Sequence, residues 1–389
     1  AKIEDKVRSN NLDLEIASVL WKVAQDSANY SFNKSHSISY AHLAALTVYL
    51  KFNHPQEFFL SLLKYAKYEP SPHEEIAKIS QELPHFDIRL LPPDLNKSDI
   101  DFKIEGKNIR YGLNSIKGVS DKVLTSLLEF REDSFANKYE VFLSAKQAGV
   151  NIGTLSALIQ AGLLDSFVQS SRSRLVLEAQ TFNTLTDREK RNFIALGDKY
   201  NYDILEAIHD TSKSGAVGDD NRKMFTEKRF GTFKKKFQPY KDIYEMNIRH
   251  VKYANWYFEE KLLGYSYSHT VREIFDNGQD FTAAVEMRDM PDRAHVKFVG
   301  TITDIIRRTS RNGNKYARIT LQDESGMVNG LFLDSARDQR LSNYLESGKK
   351  LPKKADIIII HGTLGDDVVF IDKIFPLKDK IYMKLSDVK

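Results

Sequence analysis

VKFVGTITDIIRRTSRNGNKYARITLQDESGMVNGLFL, residues 296–333, alternates apolar and polar side chains and breaks twice, at Asn312-Gly313 and Ser325-Gly326. A period of two over more than four residues reads as a half-buried strand, and such dipeptides between two runs read as hairpin turns. The spacing predicts strands over 296–307, 315–322 and 327–333. A helical stretch follows at 334–345, then strands at 356–364 and 368–375 around Gly365-Asp366. Five strands with a helix between the third and fourth predict a small Greek-key barrel, the OB-fold.

Upstream the period is helical. Leu12, Ile16, Val19, Leu20 and Val23 recur every three to four residues, predicting an amphipathic helix over 12–28. A polar interruption spans 29–39, and helix resumes from about Tyr40 to Phe52. His54-Pro55 stops it, because the residue before proline avoids helix and proline suits the next first turn. Residues 56–65 read as that next helix. Leu90-Leu91-Pro92-Pro93 reads as an extended connector between subdomains. Residues 98–113 read as a hairpin, 120–167 as short helices, and 172–210 as polar helix whose mixed charges form a solvated face. TSKSGAVGDD, 211–220, reads as a linker. The chain is therefore expected to be multidomain α+β: mainly α-helical, then a C-terminal five-stranded β-barrel.

The chain has 389 residues, 57 Lys+Arg against 53 Asp+Glu, and no cysteine. That length predicts two to four domains. Lack of cysteine excludes disulfide scaffolds, thiolate zinc sites and thiol nucleophiles. No apolar run reaches the roughly 20 residues of a membrane span, and AKIEDKVRSN is not a signal peptide. GxxxxGK[ST], HExxH and GxSxG do not occur. Three carboxylate pairs, Asp99/Asp101, Asp219/Asp220 and Asp366/Asp367, sit at turns or strand starts and read as solvated turn residues.

Four features point to chemistry. Tyr30–Ser37, YSFNKSHS, places Lys34 and His36 beside hydroxyls at a helix start, a setting for polyphosphate; on composition alone an N-cap at Ser35 or Ser37 with His36 at the surface is the stronger reading. Gly112–Lys122, GLNSIKGVSDK, resembles a helix-hairpin-helix that would offer backbone N–H groups, Lys117 and Lys122 to a DNA phosphate through Gly118 and Ser120. An ordinary turn between packed helices has the same residues. Residues 222–241 carry eight Lys/Arg against one acid, with Phe225, Phe230, Phe233, Phe237 and Tyr240 interleaved. Lys234, Lys235 and Lys236 suit backbone neutralisation and the rings suit base stacking; a solvated basic loop packing its rings inward is the alternative. In the barrel, Arg307, Arg308, Arg311 and Lys315 crowd the first hairpin, with Tyr316, Arg318 and Thr320 alternating outward along the second strand, an arrangement that favours single-stranded nucleic acid over a protein-binding or merely structural barrel.

In this order the stretches resemble the C-terminal portion of a bacterial-type C-family replicative polymerase, the DNA polymerase III alpha subunit. The resemblance rests on residues 30–40 with TVYLKFNHPQEFF, on IRLLPPDLNKSDIDFKI and IRYGLNSIKGVSDKVLTSLLEFRE, on LSALIQAGLLDSF and on KLLGYSYSHT, and it runs from about residue 12 to 376. It implies fingers over 1–97, a helix-hairpin-helix duplex-binding domain over 98–210, a connecting segment over 211–294, the OB-fold over 295–376 and a tail over 377–389.

It further implies that Lys34 and His36 touch the triphosphate of a deoxynucleotide (dNTP), with Tyr30 against the nascent base pair and Asn33 shaping the loop. Asn221-Arg222-Lys223-Met224-Phe225 falls where such polymerases carry a sliding-clamp peptide, Met224 and Phe225 being its apolar anchors. Primer-template DNA, dNTP and clamp are the implied partners, and no membrane is. Nothing here can serve as the metal-binding palm carboxylates. The palm and its Mg2+ are therefore expected on a partner chain, with no catalytic residue and no metal here, and this chain alone is expected to be inactive. It reads as one piece of a split polymerase or the C-terminal product of a larger precursor, with which Ala1 as first residue agrees. Its expected place is the cytoplasm, at a nucleoid or viral replication site. The alternative is a non-catalytic DNA-binding accessory protein built from hairpin and barrel modules.

Overall fold

The computed structural model describes residues 2–30, 34–120, 123, 135–218, 220–276, 278, 280–310, 313–335, 338–366 and 368–377. The chain divides into two compact units, residues 1–59 and 60–389.

The first unit is helical: Lys2–Ser9, Glu15–Tyr30, Lys34–Asn53 and the start of Pro55–Tyr65. Pro55 opens its helix as expected, where the missing N–H costs no hydrogen bond. The expected loop over 29–39 is shorter than its polarity implied, because helix resumes at Lys34. Ser39 donates to the Ser35 carbonyl at 2.8 Å, so these hydroxyls bond along the helix axis.

The second unit takes the rest of the Pro55–Tyr65 helix and a 3-10 turn at Ala66–Tyr68, then the Pro72–Glu82 helix, which buries Ile76 and Ile79. A three-stranded sheet follows: β1 Leu90–Leu91, β2 Lys103–Glu105 and β3 Asn108–Arg110. β2 and β3 form the expected hairpin, and β1 pairs parallel to β3, Leu90 opposite Ile109. The stretch expected to be a mere connector is thus an edge strand; the two leucines before its prolines still have N–H groups to pair.

The helices Lys138–Gln147 and Ile152–Gln160 are capped by Asn137 and Asn151. Arg172–Thr184 then packs against the helices Ile152–Gln160, Ile204–Ser214 and Glu227–Arg249. The solvated face expected over 172–210 is corrected here: Arg172, Ser173, Glu178 and Gln180 are buried along with Leu175, Val176 and Phe182. Its charges are neutralised internally, Glu178 by Lys138 at 2.6 Å and Arg174 at 3.0 Å, and Arg174 also by Asp203 at 2.7 Å. The expected linker is corrected as well. Residues 204–214 are helix, Gly215 caps it at φ +63°, and a tight turn follows in which Val217 bridges Lys223 and Met224 donates to the Ala216 carbonyl at 2.9 Å.

After the helices Val251–Leu263 and Val271–Phe275 comes the barrel: β4 His295–Thr309, β5 Lys315–Asp323, β6 Gly326–Leu333, a helix Arg340–Glu346, β7 Ile357–Leu364 and β8 Val369–Pro376. They close in the order β4-β5-β6-β8-β7, the topology of the OB-fold. β4 belongs to both halves, pairing β7 along its first half and β5 along its second, with an irregularity between Ile302 and Asp304 that lets it turn the corner. Phe298, Ala317, Ile319, Leu321, Phe332 and Ile360 fill the interior. The strands lie within two or three residues of the expected ones, and the fold is α+β, helical first and barrel last.

Candidate nucleic-acid interface

The hairpin around Gly118 is positioned by its backbone. A Cβ on Gly112 would lie 2.5 Å from the backbone of Asp101 and Phe102, so only glycine allows this approach. Leu113–Ser115 makes one 3-10 turn, and Gly118 at φ +93° reverses the chain with open space around it. The Lys117 N–H donates to the Leu262 carbonyl at 2.9 Å, tying the turn to the end of the Val251–Leu263 helix. Ser120 and Val123 continue the turn through a 2.8 Å bond; Lys122 lies outside the described residues.

The stretch KLLGYSYSHT is where three of the other quoted stretches meet. The Tyr111 hydroxyl donates to the Leu263 carbonyl at 2.8 Å, and the Tyr265 hydroxyl to the Leu90 carbonyl at 3.2 Å, with the two rings stacked 6.0 Å apart. The Tyr267 hydroxyl donates to the Ala161 carbonyl at 3.2 Å. Arg172, just beyond LSALIQAGLLDSF, donates to Glu259 at 2.6 Å, to the Tyr267 hydroxyl at 2.7 Å and to Asp165. Glu259 also accepts from the Tyr267 and Ser268 amides at 2.9 and 3.1 Å. Burial works against the Arg172 charge, but Asp165, Tyr267 and Glu259 together outweigh it and hold the guanidinium protonated above its usual range. Burial raises Tyr111, Tyr265 and Tyr267 above the usual phenol range. These groups stay neutral donors, so the constellation is a scaffold that fixes the hairpins.

A cavity of about 730 Å³ lies between the Pro72–Glu82 helix, the Val251–Leu263 helix and the barrel, lined by His73, Lys117, Trp256, Glu260 and Glu324 among others. His73 Nε2 lies 3.1 Å from the Leu262 carbonyl, and burial together with Lys117 depresses its pKa. Glu324 accepts from Trp256 Nε1 and from the Val271 amide, seating the barrel on the helices. Burial and then the Glu324 carboxylate push Glu260 up to about 8. Sequence reasoning missed this junction, whose residues are single side chains far apart in the chain.

The basic residues are presented outward. Lys234, Lys235 and Lys236 are exposed on the Glu227–Arg249 helix, so the basic stretch is helix and not loop. Its phenyl rings turn inward: Phe225 meets Phe193 at 5.8 Å and Phe233 at 5.6 Å, and Phe233 stacks on Phe237 at 5.6 Å. The expectation that Phe225 and Phe233 stack on bases is corrected, since both are buried. Met224 and Phe225, the expected clamp anchors, are 2% and 7% exposed, with their apolar surface packed into the chain's own core. Asn221 is exposed at the turn with φ 58°.

On the barrel, Arg308 opposes Tyr316, and Ile306 opposes Arg318. With Thr320 and Asn329 they share the outward face of β4, β5 and β6, as the alternation implied. Arg307, Arg308, Lys315 and Arg318 are exposed; Arg311 lies outside the described residues.

In the first unit Tyr30 ends one helix and Lys34 begins the next, while Asn33 lies outside the described residues. His36 is exposed in the first helical turn, its ring edge-on to Tyr40 at 4.5 Å. An N-cap at Ser35 or Ser37 is excluded, since both lie within the helix. Among the described residues no group of three or more His, Asp and Glu side chains is placed to hold a metal ion.

The helix-hairpin-helix motif profile matches residues 87–175, the region of the small sheet and the Gly118 turn. DNA polymerase III subunit alpha of Thermus aquaticus is 27% identical over 322 residues, 81% of this chain and 23% of that protein. The Aquifex aeolicus subunit alpha is 24% identical over 354 residues, 90% of this chain and 25% of its own length. The chain is a homologue of DNA polymerase III subunit alpha. The Chlamydia trachomatis subunit alpha reaches 31% identity over a shorter span, 49% of this chain and 15% of its own. The chain spans about a quarter of the length of the alpha subunits it matches.

Proposed function

We propose that the chain is the fingers-to-barrel part of a replicative DNA polymerase and acts in template-directed DNA synthesis. The observation that supports this is the match to alpha subunits along four-fifths or more of the chain. In this reading the hairpin at Gly118 grips duplex DNA through backbone N–H groups and nearby lysines. Lys234–Lys236 neutralise phosphates, and the Arg308, Tyr316 and Arg318 face of the barrel meets single-stranded template. Tyr30, Asn33, Lys34 and His36 face the incoming dNTP.

Among the described residues no side chains cluster as a two-metal centre needs, which is a set of bridging carboxylates. Palm and Mg2+ are assigned to a partner polypeptide, and no catalytic step is routed through this chain. Clamp docking through Met224 and Phe225 would require both to leave their core, so that segment is read as packing.

The test is primer extension by this chain mixed with the palm-bearing polypeptide. Lys34→Ala with His36→Ala is expected to raise the apparent KM for dNTP about tenfold or slow incorporation as much, with DNA affinity unchanged. Equal loss of DNA binding with no nucleotide effect would replace this reading with the accessory-protein one.

A further inference from the structure

The first unit carries far more exposed apolar surface than its size accounts for. Fifteen large apolar side chains between Leu12 and Phe52 are at least 37% exposed, against eleven among all other described residues. Monomeric surfaces rarely keep contiguous apolar patches of this kind. In the Glu15–Tyr30 helix Val19, Trp21 and Val23 are each more than half exposed, while among its described side chains only Ala17 is buried. None of the described side chains of the Lys34–Asn53 helix is buried, although Leu43, Leu46 and Leu50 stand at i, i+3 and i+7. A helix apolar on several sides belongs inside a larger protein. The Pro72–Glu82 helix, which buries Ile76 and Ile79 and exposes acids, is the contrast.

The chemistry of the patch selects its occupant. Residues 15–53 hold three lysines against two acids, too little positive charge for a phosphate backbone or an anionic lipid surface. No helix among the described residues is long and apolar enough to cross a membrane. An apolar, nearly neutral double helix face suits the core of a protein–protein interface. Three-quarters of each matched alpha subunit lies outside the alignment, which supplies polypeptide in quantity to cover it.

We infer that the helices Glu15–Tyr30 and Lys34–Asn53 form the docking surface for the palm-bearing polypeptide, with Trp21, Leu43, Leu46 and Leu50 at its centre. This rests on the polymerase reading and adds the surface through which the two parts join.

The chain has two tryptophans, Trp21 exposed at 57% and Trp256 buried at 5%, so Trp21 reports on the patch. The experiment titrates the source's own palm-bearing polypeptide, with its tryptophans replaced by phenylalanine, into this chain and follows emission and acrylamide quenching. Quenching of wild-type chain tracks Trp21, and Trp256→Phe isolates it where that variant folds. The expected result is a blue shift and loss of quenching at Trp21 that saturates with the added polypeptide, and at least about tenfold weaker association for Leu43→Asp. Four results would overturn the inference. These are shielding of Trp21 in the dilute chain alone, shielding that grows with this chain's own concentration, shielding by phosphatidylcholine–phosphatidylglycerol vesicles but not by the polypeptide, and no change with any of them. Failure here while primer extension still depends on Lys34 would leave the polymerase reading standing. Shielding without any nucleotide effect would do the reverse.

Discussion

At Arg172 a buried guanidinium divides its donors among Asp165, Glu259 and the Tyr267 hydroxyl, and Glu259 is itself fully buried. Breaking such a pair from one side strands the other charge, which typically costs about 3–5 kcal/mol. Arg172→Ala is expected to lower stability by that order in denaturant unfolding, and Glu259→Gln in the same chain to recover part of it. Arg172→Lys is expected to rescue poorly, because an ammonium cannot reproduce the planar fork. The residue types of this cluster are plain in the sequence, yet their partnership is not. Arg172 and Glu259 are 87 positions apart, and an arginine beside a mixed-charge helix reads as solvated until packing brings the carboxylate to it.

The Glu227–Arg249 helix separates two properties that alternate along one stretch. Its lysines at 234–236 face solvent while its Phe230 and Phe233 face Phe225, because a helix sorts side chains by angle, not by order. Lys234→Ala, Lys235→Ala and Lys236→Ala together are expected to weaken DNA binding equally for unrelated sequences. They should also flatten the plot of log affinity against log salt by about 0.9 for each phosphate that is no longer neutralised. An unchanged slope would remove this helix from the interface. The 211–220 stretch shows the opposite failure of local reading. Small polar residues imply a linker, but a glycine cap, the Val217–Lys223 bridge and the Arg188–Asp220 pair at 2.6 Å order it.

At the scale of the second unit, the barrel is seated through Glu324 and faces Glu260 across the cavity. Burial raises the pKa of both carboxyls, that of Glu260 to about 8. A carboxyl whose folded pKa exceeds its unfolded value favours folding fully at low pH and loses that contribution as pH rises through the folded value. Thermal stability is therefore expected to fall between about pH 5 and pH 9. Glu260→Gln should flatten that slope and raise the unfolding midpoint most at the alkaline end, by about 2–4 °C per kcal/mol relieved. A flat profile in the wild-type chain would contradict the assignment. The strand positions of the barrel, the Pro55 helix start and the Gly118 turn were determined by the sequence itself. Period, proline geometry and a positive φ are local properties that each residue carries with it. The edge strand at Leu90, the burial of Arg172 and of Met224 and Phe225, and the Glu260–Glu324 junction were decided only by tertiary structure. Each depends on which distant group supplies the missing hydrogen bond, opposite charge or apolar neighbour, and no local pattern encodes that meeting.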